Sequence, residues 1–251
     1  MLVFLKDEKE IEGFVKAGKI AGRILAELLS MVKPGATTNE LDQLARRRCE
    51  EHKVRPVFLG YEGFPAAICT SVNEALVHGV PNDRPLENGD LVSIDIGVDL
   101  DGFIGDTAFT VIAGTPTGAT DMLMIKHCGA ALNRGIEASR PGNRLGDIGA
   151  AVSDRGNEKF GLVTDYGGHG VNRGKLHAEP FVSNDNLAGE GIKLRPGMVI
   201  AIEPMLVSGD DNEGKTADDG WTVVLSNGRA VHCEHTIAIT ENGPLILTER
   251  E

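Results

Sequence analysis

Residues 93–107 read SIDIGVDLDGFIGDT, and this stretch decides the fold. Apolar and polar residues alternate on both sides of Asp101-Gly102, a dipeptide typical of the two-residue turn between antiparallel strands. With that turn, Asp95 and Asp106 are diagonal neighbours on one face of the hairpin, because opposite residues share a face and side chains alternate along each strand. Aspartate is depleted in strands, so the pair requires a physical explanation.

Two close carboxylates in a half-buried sheet repel each other, so they share a proton, bind a cation or lie exposed to solvent. Two more acids occur in strand-like patterns. Glu203 ends the apolar run 198–202, and Glu234 lies in the stretch 231–239, which is predicted to form a hairpin with 221–225. None of the four acids has an obvious lysine or arginine partner nearby in sequence. Two divalent cations would neutralise them and activate a water between the ions, which indicates a two-metal hydrolase.

A histidine among glycines supplies the nitrogen ligand that we expect at this centre. His169 lies in the segment 167–170, GGHG, whose glycines let the backbone approach a site closely. The oxygen-rich set with one imidazole suits Mn(II), Fe(II), Co(II) or Zn(II) and does not rank them. His78 and His177 are expected to bind substrate or to shuttle protons. The remaining histidines have no such context and are interpreted as structural: His52, His127, His232 and His235.

Composition favours a globular, cytoplasmic protein. The net charge of −12 over 251 residues argues against broad binding to a nucleic-acid backbone, so no DNA partner is expected. No apolar run approaches the roughly 20 residues of a membrane helix, and the opening MLVFL is too short for a signal peptide, so no membrane contact is expected. Scattered cysteines indicate reduced thiols, at Cys49, Cys69, Cys128 and Cys233.

The order of helix and strand patterns predicts a duplicated fold. We expect one α+β domain over residues 1–251, made of two pseudo-symmetric halves of about 1–115 and 116–251, with helices packed outside a shared sheet. Apolar residues recur at helical spacing in the segments 6–32, 39–52, 121–139 and 144–159.

A repeated sequence frame supports the duplication. The pattern L-x-x-G-x-x-[VI]-x-I-[DE] occurs at 86–95 and again at 194–203. The second copy places Glu203 where Asp95 stands in the first, 108 positions earlier. Both halves are therefore expected to contribute acids to one centre.

These motifs resemble those of the type I methionine aminopeptidases. The resemblance implies the duplicated pita-bread (creatinase/aminopeptidase) fold, in which a mostly antiparallel curved sheet carries helices on its outer face. The similarity runs through nearly the whole chain and is densest in the segments 60–65 (GYEGFP), 73–81 (NEALVHGVP), 93–97 (SIDIG), 105–107 (GDT), 168–170 (GHG), 202–204 (IEP), 219–222 (DGWT) and 234–236 (EHT).

The resemblance also implies roles for individual residues. Asp106 and Glu234 would bridge two metal ions, and His78 and His177 would contact the substrate. The full implied ligand set is Asp95, Asp106, His169, Glu203 and Glu234. The implied pocket for a methionine side chain is Tyr61, Phe64, Cys69 and Trp221, whose aromatic faces and soft thiol suit a thioether.

The implied reaction removes the initiator methionine from nascent polypeptides whose second residue is small, by dinuclear metal-hydroxide hydrolysis. Glu203 would accept the proton of the attacking water and pass it to the leaving amine, and His177 would assist at the carbonyl oxygen. The expected partners of this monomeric enzyme are nascent N-termini and the ribosome, which the basic run 46–48 and Lys53 would contact near the exit of the nascent chain.

Two departures from the family pattern affect the site. The family shows G-H-G-[IV]-G-R-x-x-H, whereas residues 168–177 read GHGVNRGKLH, with one extra residue and with Asn172 in place of a glycine. The extra residue is either absorbed in a loop or displaces His177, and either Leu176 or Lys175 takes the pocket position before it. Phe58 stands where a smaller residue is common, which predicts a narrower pocket.

Two rival functions remain from the sequence. Prolidases and aminopeptidases P share the pita-bread fold, but they usually carry an extra N-terminal domain, whereas the first helical pattern here begins near residue 7. A catalytically inactive relative that binds a partner protein would have lost ligands, and all five are present.

Overall fold

The hairpin predicted from residues 93–107 is confirmed in the computed structural model, which describes residues 4–153 and 159–250. Strand β4 (Leu91–Leu100) pairs antiparallel with β5 (Phe103–Ile112). Asp101 and Gly102 form the turn with φ values of +54° and +89°, as a primed turn requires. Asp106 lies opposite Gly97, so the predicted register is the observed one.

Helix α1 (Glu8–Ser30) and helix α2 (Thr38–His52) begin at capping boxes. The Asp7 side chain accepts a hydrogen bond from the Glu10 backbone, and the Glu10 side chain accepts one from the Asp7 backbone; Thr37 and Glu40 repeat this arrangement. These pairs satisfy backbone donors that a helix start leaves without partners. The helix starts near residues 7 and 38 therefore follow from local chemistry.

Two further helices follow the β4–β5 hairpin. Helix α3 spans Ala119–Ala138 and helix α4 spans Leu145–Ser153. The helix predicted to reach Lys159 is shorter in the described part, since Lys159 is not helical; residues 154–158 lie outside the described residues. None of the helices in the described ranges combines the length and apolar character that crossing a bilayer requires.

The remaining strands form antiparallel sheets, in the orders β1-β4-β2 with β5 on β4, β13-β10-β6, β11-β12-β3 and β15-β14-β9-β7-β8. Their bounds are β1 Arg55–Pro56, β2 Cys69–Val72, β3 Ala75–Val77, β6 Gly161–Leu162, β7 Gly168–Asn172, β8 Lys175–Val182, β9 Val199–Ile202, β10 Met205–Val207, β11 Lys215–Thr216, β12 Val223–Val224, β13 Ala230–His232, β14 His235–Thr240 and β15 Gly243–Ile246; a short 3₁₀ turn covers Tyr61–Gly63.

The hairpin predicted between 221–225 and 231–239 is wrong. Strand β12 pairs with β3 and β11, whereas β13 pairs with β10 and β14 pairs with β9. The connection between them is anchored elsewhere, because the Arg229 side chain donates hydrogen bonds to Asn73 and Asp121. The backbone N–H of Ala230 also donates to Asn73 O, at 2.9 Å. The chain therefore leaves β12 for another sheet instead of folding back on it.

Apolar helix faces cover the sheets. In one cluster, Leu25 and Leu28 of α1 pack with Ile94 and Ile96 of β4. In another, residues of α3 and α4 pack with residues of β9 and β14, among them Met124, Leu132, Ile148, Ile200 and Ile237. Since Ile94 and Ile96 point into the apolar core, Asp95 between them points to the opposite face of the sheet.

The glycine turns of the repeated frame adopt the same conformation. Gly89 has a φ of +90° and Gly197 has a φ of +89°. Each turn precedes a strand, β4 after Gly89 and β9 after Gly197. The two pseudo-symmetric halves stay a prediction that these turns support.

Candidate active site

Strands from distant parts of the chain bring acids and histidines to one cavity of about 450 Å³. All five residues predicted as metal ligands line it: Asp95, Asp106, His169, Glu203 and Glu234. Asp106, His169 and Glu234 each offer one ligand atom, and these three atoms lie within 4.8 Å of one another. His169 Nε2 is 3.6 Å from Asp106 Oδ2 and 3.8 Å from Glu203 Oε1. The arrangement can hold a cation between carboxylates and one imidazole.

The acids leave buried oxygen atoms without partners. Asp95 Oδ1, Asp106 Oδ1 and Glu234 Oε1 are buried and accept no hydrogen bond from the described residues. A buried polar atom without a partner costs about 1–3 kcal/mol, and more when it is charged. Divalent cations that bind carboxylate oxygen and imidazole nitrogen would satisfy these atoms, so the residues present fit such ions.

The same crowding displaces the pKa values of the cluster. Burial, followed by repulsion from Asp106, raises the pKa of Asp95 and of Glu234 well above the ordinary carboxyl value. Burial alone would lower the pKa of His169, but the contact with Asp106 and the charge of Glu203 outweigh it and raise that pKa. Without a cation the cluster therefore retains protons, and a divalent ion bound here would take their place as the compensating positive charge.

Threonine hydroxyls join β5, which carries Asp106, to Glu234 and to the strand β14 that begins directly after it. The Asp106 N–H donates to Thr236 Oγ1 at 3.0 Å, and Thr236 Oγ1 donates to Asp106 O at 2.7 Å. Thr107 Oγ1 donates to Glu234 O at 2.9 Å, and the Glu234 N–H donates to Ala108 O at 2.8 Å. These hydrogen bonds take the place of strand pairing between β5 and β14, and they fix the backbones of Asp106 and Glu234 relative to each other.

His169 is held by glycine on both sides. A Cβ atom at Gly168 would overlap Ala201 O of β9, and one at Gly170 would overlap Glu179 O of β8. His169 Nδ1 lies 3.1 Å from Gly170 O, so an Nδ1–H donor leaves Nε2 free as a ligand. The glycines thus let β7 pack tightly between β8 and β9, whereas the predicted close approach of this backbone to the site itself stays a prediction.

The extra residue before His177 is absorbed within the β7–β8 hairpin. Asn172 pairs with Lys175, His169 pairs with Phe181, and the register shifts between them. The ring centroids of His169 and His177 are 4.6 Å apart, and His177 Nδ1 lies 2.9 Å from the Tyr61 hydroxyl. His177 therefore lies at the cavity in spite of the longer loop.

The structure also shows the surroundings of Asn172 and of the two candidate pocket residues, Leu176 and Lys175. Asn172 accepts a hydrogen bond from Lys6 Nζ at 2.5 Å, which gives the unusual side chain a partner. Leu176 is buried in the core and Lys175 is exposed, and neither belongs to the described residues that line the cavity.

His78 lies on another wall of the cavity. Its φ of +57° is left-handed, an uncommon conformation for a residue with a side chain. Its ring packs edge-to-face on Tyr166, with centroids 5.8 Å apart. Desolvation by its surroundings lowers the pKa of His78, in spite of the opposing charge of Glu203. A neutral His78 is thus available as a hydrogen-bonding group.

The four predicted pocket residues all line the cavity. Phe64 and Trp221 pack edge-to-face with ring centroids 5.3 Å apart. Cys69 of β2 lies opposite Asp95, which places a buried thiol beside the acids. Tyr61 is 37% exposed and forms an outer wall. Phe58 also lines the cavity.

The sequence pattern gave no role to some residues around the site. His232 lies with its Nε2 3.4 Å from Glu203 Oε2, although it was interpreted as structural. Asp165, Tyr166, Phe181 and Met205 also line the cavity. His232 precedes Glu234 by two residues on the same segment, and this spacing is the one sequence signal that would have found it.

Comparisons with known proteins agree with this geometry. The pattern of metallopeptidase family M24 matches residues 12–241. The chain is 43% identical to the methionine aminopeptidase of Aquifex aeolicus, over 99% of this chain and 100% of that protein. It is 42% identical to methionine aminopeptidase 1 of Bacillus subtilis, over 98% of this chain and 99% of that protein.

Solved structures show the same relationship. The crystal structure of methionine aminopeptidase from Rickettsia prowazekii matches with a TM-score of 0.93 and 38% identity, over 98% of this chain and 100% of that chain. A prolidase from Pyrococcus furiosus matches with a TM-score of 0.74 and 24% identity, over 98% of this chain and 66% of that chain, which shows the shared fold alone. The chain therefore belongs to metallopeptidase family M24 and, within it, to the methionine aminopeptidases.

Proposed function

We propose that this protein is a metal-dependent aminopeptidase that removes the N-terminal methionine from polypeptides whose second residue is small. One observation carries the proposal. Buried carboxylate oxygens that accept no hydrogen bond from the described residues lie with the His169 imidazole in a cavity that aromatic rings and the Cys69 thiol also line. The similarity to methionine aminopeptidases over nearly the whole chain supports the same reaction.

Two divalent ions are the cofactors we propose, held by the five cavity residues already named. Asp106, His169 and Glu234 would form the centre of this ligand set, because their ligand atoms lie within 4.8 Å of one another, and the resemblance to the family implies that the two acids would serve both ions. When bound, such ions polarise a scissile carbonyl and lower the pKa of a water molecule. The donor set accepts Mn(II), Fe(II), Co(II) or Zn(II).

Glu203 is the proposed proton carrier. Its side chain is 14% exposed and is therefore more open to the cavity than Asp106. A carboxylate in this position takes a proton from the attacking water and gives it to the leaving amine nitrogen. Glu203 O accepts a hydrogen bond from Asn184 Nδ2 at 3.2 Å, which fixes the backbone of the carrier.

The two cavity histidines are proposed to bind the peptide. With the Tyr61 hydroxyl donating to Nδ1, His177 presents Nε2–H to the carbonyl oxygen on which negative charge develops. Desolvation and the nearby His169 lower the pKa of His177, so it donates as a neutral group. His78 on the opposite wall orients the peptide backbone.

The inner pocket selects the first residue. A methionine side chain would lie between the Phe64 and Trp221 rings and the Cys69 thiol, where an unbranched thioether makes favourable contacts with aromatic edges. Tyr61 would close the outer side of the same pocket.

Peptide hydrolysis tests the proposed function. We expect the metal-stripped protein, reloaded with Mn(II) or Co(II), to cleave Met-Ala-Ser and to leave Met-Lys and Xaa-Pro peptides intact, because a short second subsite excludes large residues. Release of methionine can be followed by chromatography, with the stripped protein as control. Preferential cleavage of Gly-Pro would instead support the prolidase function.

We also propose that the enzyme acts on nascent chains at the ribosome, in the cytoplasm and as a monomer. Arg46 is paired with Asp42, and Arg48 is paired with acidic side chains, which leaves Arg47 and Lys53 as the exposed charges for docking. The double variant Arg47→Glu/Lys53→Glu should co-sediment less with ribosomes than the wild type. Unchanged co-sedimentation, at equal activity on free peptides, would exclude this surface.

A further inference from the structure

A buried histidine lies directly behind the proposed proton carrier. His232 is 4% exposed, and its Nε2 has no hydrogen-bond partner among the described residues. The nearest ionisable group is Glu203, whose Oε2 lies 3.4 Å from that nitrogen. His232 does not belong to the described residues that line the cavity, and its ring contacts Glu203, which does.

The backbone of His232 is firmly placed. Its N–H donates to Thr110 Oγ1 at 2.9 Å, and Thr110 Oγ1 donates to His232 O at 2.9 Å. Ser93 Oγ lies 2.8 Å from the same threonine oxygen and completes the arrangement. In the β13–β10 pair, His232 lies opposite Met205, two residues after Glu203. The imidazole is therefore held on a rigid element beside the carboxylate.

The two oxygens of Glu203 face different histidines. Oε1 lies 3.8 Å from His169 Nε2, on the side of the metal ligands, whereas Oε2 faces His232. In the described part of the chain, no lysine or arginine forms an ion pair with this carboxylate. Its orientation thus depends on a donor that can hold Oε2 from behind.

We propose that His232 is a positioning residue, whose Nε2–H donates to Glu203 Oε2 and directs Oε1 toward the cavity. A small closing movement from 3.4 Å would give a full hydrogen bond to the carboxyl oxygen. The contact would satisfy the buried imidazole nitrogen and restrict the carboxylate to one rotamer. The inference rests on the proposed role of Glu203 as proton carrier and ligand.

Variants that keep or remove the hydrogen-bond donor of His232 distinguish a role in positioning Glu203 from a role in packing. In His232→Gln, the amide nitrogen occupies the position of Nε2 and keeps the donor. In His232→Leu, a side chain of comparable size removes the donor. His232→Asn keeps a polar amide that is too short to reach Glu203, and it serves if the leucine variant does not fold. His127→Leu is the matched control, because His127 packs on Phe160 away from the cavity.

With the Mn(II)-loaded enzyme and Met-Ala-Ser, we expect the leucine and asparagine variants to lower kcat by about 10–100-fold, as loss of a group that orients a ligand does. KM should stay within about twofold of the wild type, since the binding walls are unchanged. The glutamine variant and the His127 control should keep kcat within about threefold of the wild type. Equal losses in the glutamine and leucine variants, or none in either, would overturn the inference.

Metal binding by the stripped protein gives a second readout. Two properties should differ from the wild type in the leucine and asparagine variants: the Mn(II) affinity measured by calorimetry and the visible spectrum of the Co(II)-loaded protein. Both should be close to the wild type in the glutamine variant. A wild type that does not cleave Met-Ala-Ser would refute the proposed function, while these titrations would still decide the contact with Glu203. Identical titrations in all variants would refute the positioning role.

Discussion

At the scale of single residues, the site depends on buried oxygen atoms that have no hydrogen-bond partner within residues 4–153 and 159–250. The carboxylate oxygens of Asp106 and Glu234 accept few hydrogen bonds, although their backbones are fixed by Thr236 and Thr107. Rigid backbone and unpartnered oxygens together describe a preorganised ligand set, since little rearrangement is needed when an ion binds. His169 completes the set, with Nδ1 directed to a carbonyl and Nε2 toward the acids.

Removal of that imidazole should therefore affect binding and catalysis together. We expect His169→Ala to weaken Mn(II) binding at least as much as the roughly 10–100-fold typical for loss of a ligand's supporting partner, and to abolish activity in metal-limited buffer. Titration calorimetry and peptide assays check this. His177→Ala is the control and should lose activity but keep its affinity for Mn(II). Full activity of His169→Ala at limiting metal would show that the ligand assignment is wrong.

At the scale of elements, strand β7 is the most constrained part of the site. It lies between β8 and β9, and its glycines allow backbone contacts that no side chain would permit. Hydrogen bonds through threonine then connect β5, which carries Asp106, to β14 and to Glu234 just before that strand. The position of each ligand is thus set by backbone packing as much as by its own side chain.

A methyl group in β7 should measure that constraint. In Gly170→Ala, the new Cβ overlaps Glu179 O, so we expect a loss of about 1–3 kcal/mol in the free energy of unfolding, as overpacking typically gives. Gly129→Ala in helix α3 is the control, because its Cβ meets nothing within 4 Å. That change should stabilise the protein by up to about 1 kcal/mol. Urea unfolding gives the free energy of unfolding of both variants. If Gly170→Ala were as stable as Gly129→Ala, β7 would not be tightly packed at Gly170.

Local chemistry explains which elements the sequence could predict. The Asp101-Gly102 turn fixes the parity of its hairpin, and the capping boxes at Asp7 and Thr37 fix two helix starts. The partners of β12 to β14 depend on contacts with distant segments, such as that of Arg229 with Asp121, and the predicted hairpin there failed for this reason.

The same distinction separates the predicted from the missed site residues. Acids in strand patterns are conspicuous in a sequence, because their charge needs an explanation wherever they are buried. His232 carried no such signal, since its contact with Glu203 exists only after β13 pairs with β10. The place of His177 likewise depended on how the β7–β8 ladder took up one residue.

At the scale of the whole molecule, the acid cluster opposes folding unless cations are bound. Its carboxyl groups come from the first and the second half of the chain. Because the cluster is largely buried, little water is present to screen the repulsion between their charges. Ions that bind the folded state alone add stability, by about 2.7 kcal/mol when the free ion is at 100 times its dissociation constant. Metal binding and folding are thus linked in this protein.

This linkage predicts a pH dependence for the metal-stripped protein. The pKa values of Asp95 and Glu234 are raised in the folded state, so the folded protein retains protons that the unfolded chain has already released. Their contribution to stability is complete below the unfolded carboxyl pKa of about 4 and is lost as the pH rises toward the folded values. Urea midpoints of stripped and Mn(II)-loaded protein should therefore diverge as the pH rises.

The variant Asp95→Asn/Glu234→Gln isolates these two groups. Stripped of metal, it should lose less stability than the stripped wild type as the pH rises above the unfolded carboxyl pKa of about 4, because its amides do not ionise. If the stability of the stripped variant and of the stripped wild type fell equally with pH, the pH dependence would not come from Asp95 and Glu234.

The connection of Asp106 with Glu234 through threonine has a consequence for biosynthesis. A ribosome releases the β4–β5 hairpin long before the segment that carries Glu234, because more than a hundred residues separate them. During translation the early acids therefore wait without their later counterparts, and the emerging chain cannot cut peptides. Catalytic competence therefore requires that the segment with Glu234 has been made and has joined the early hairpin.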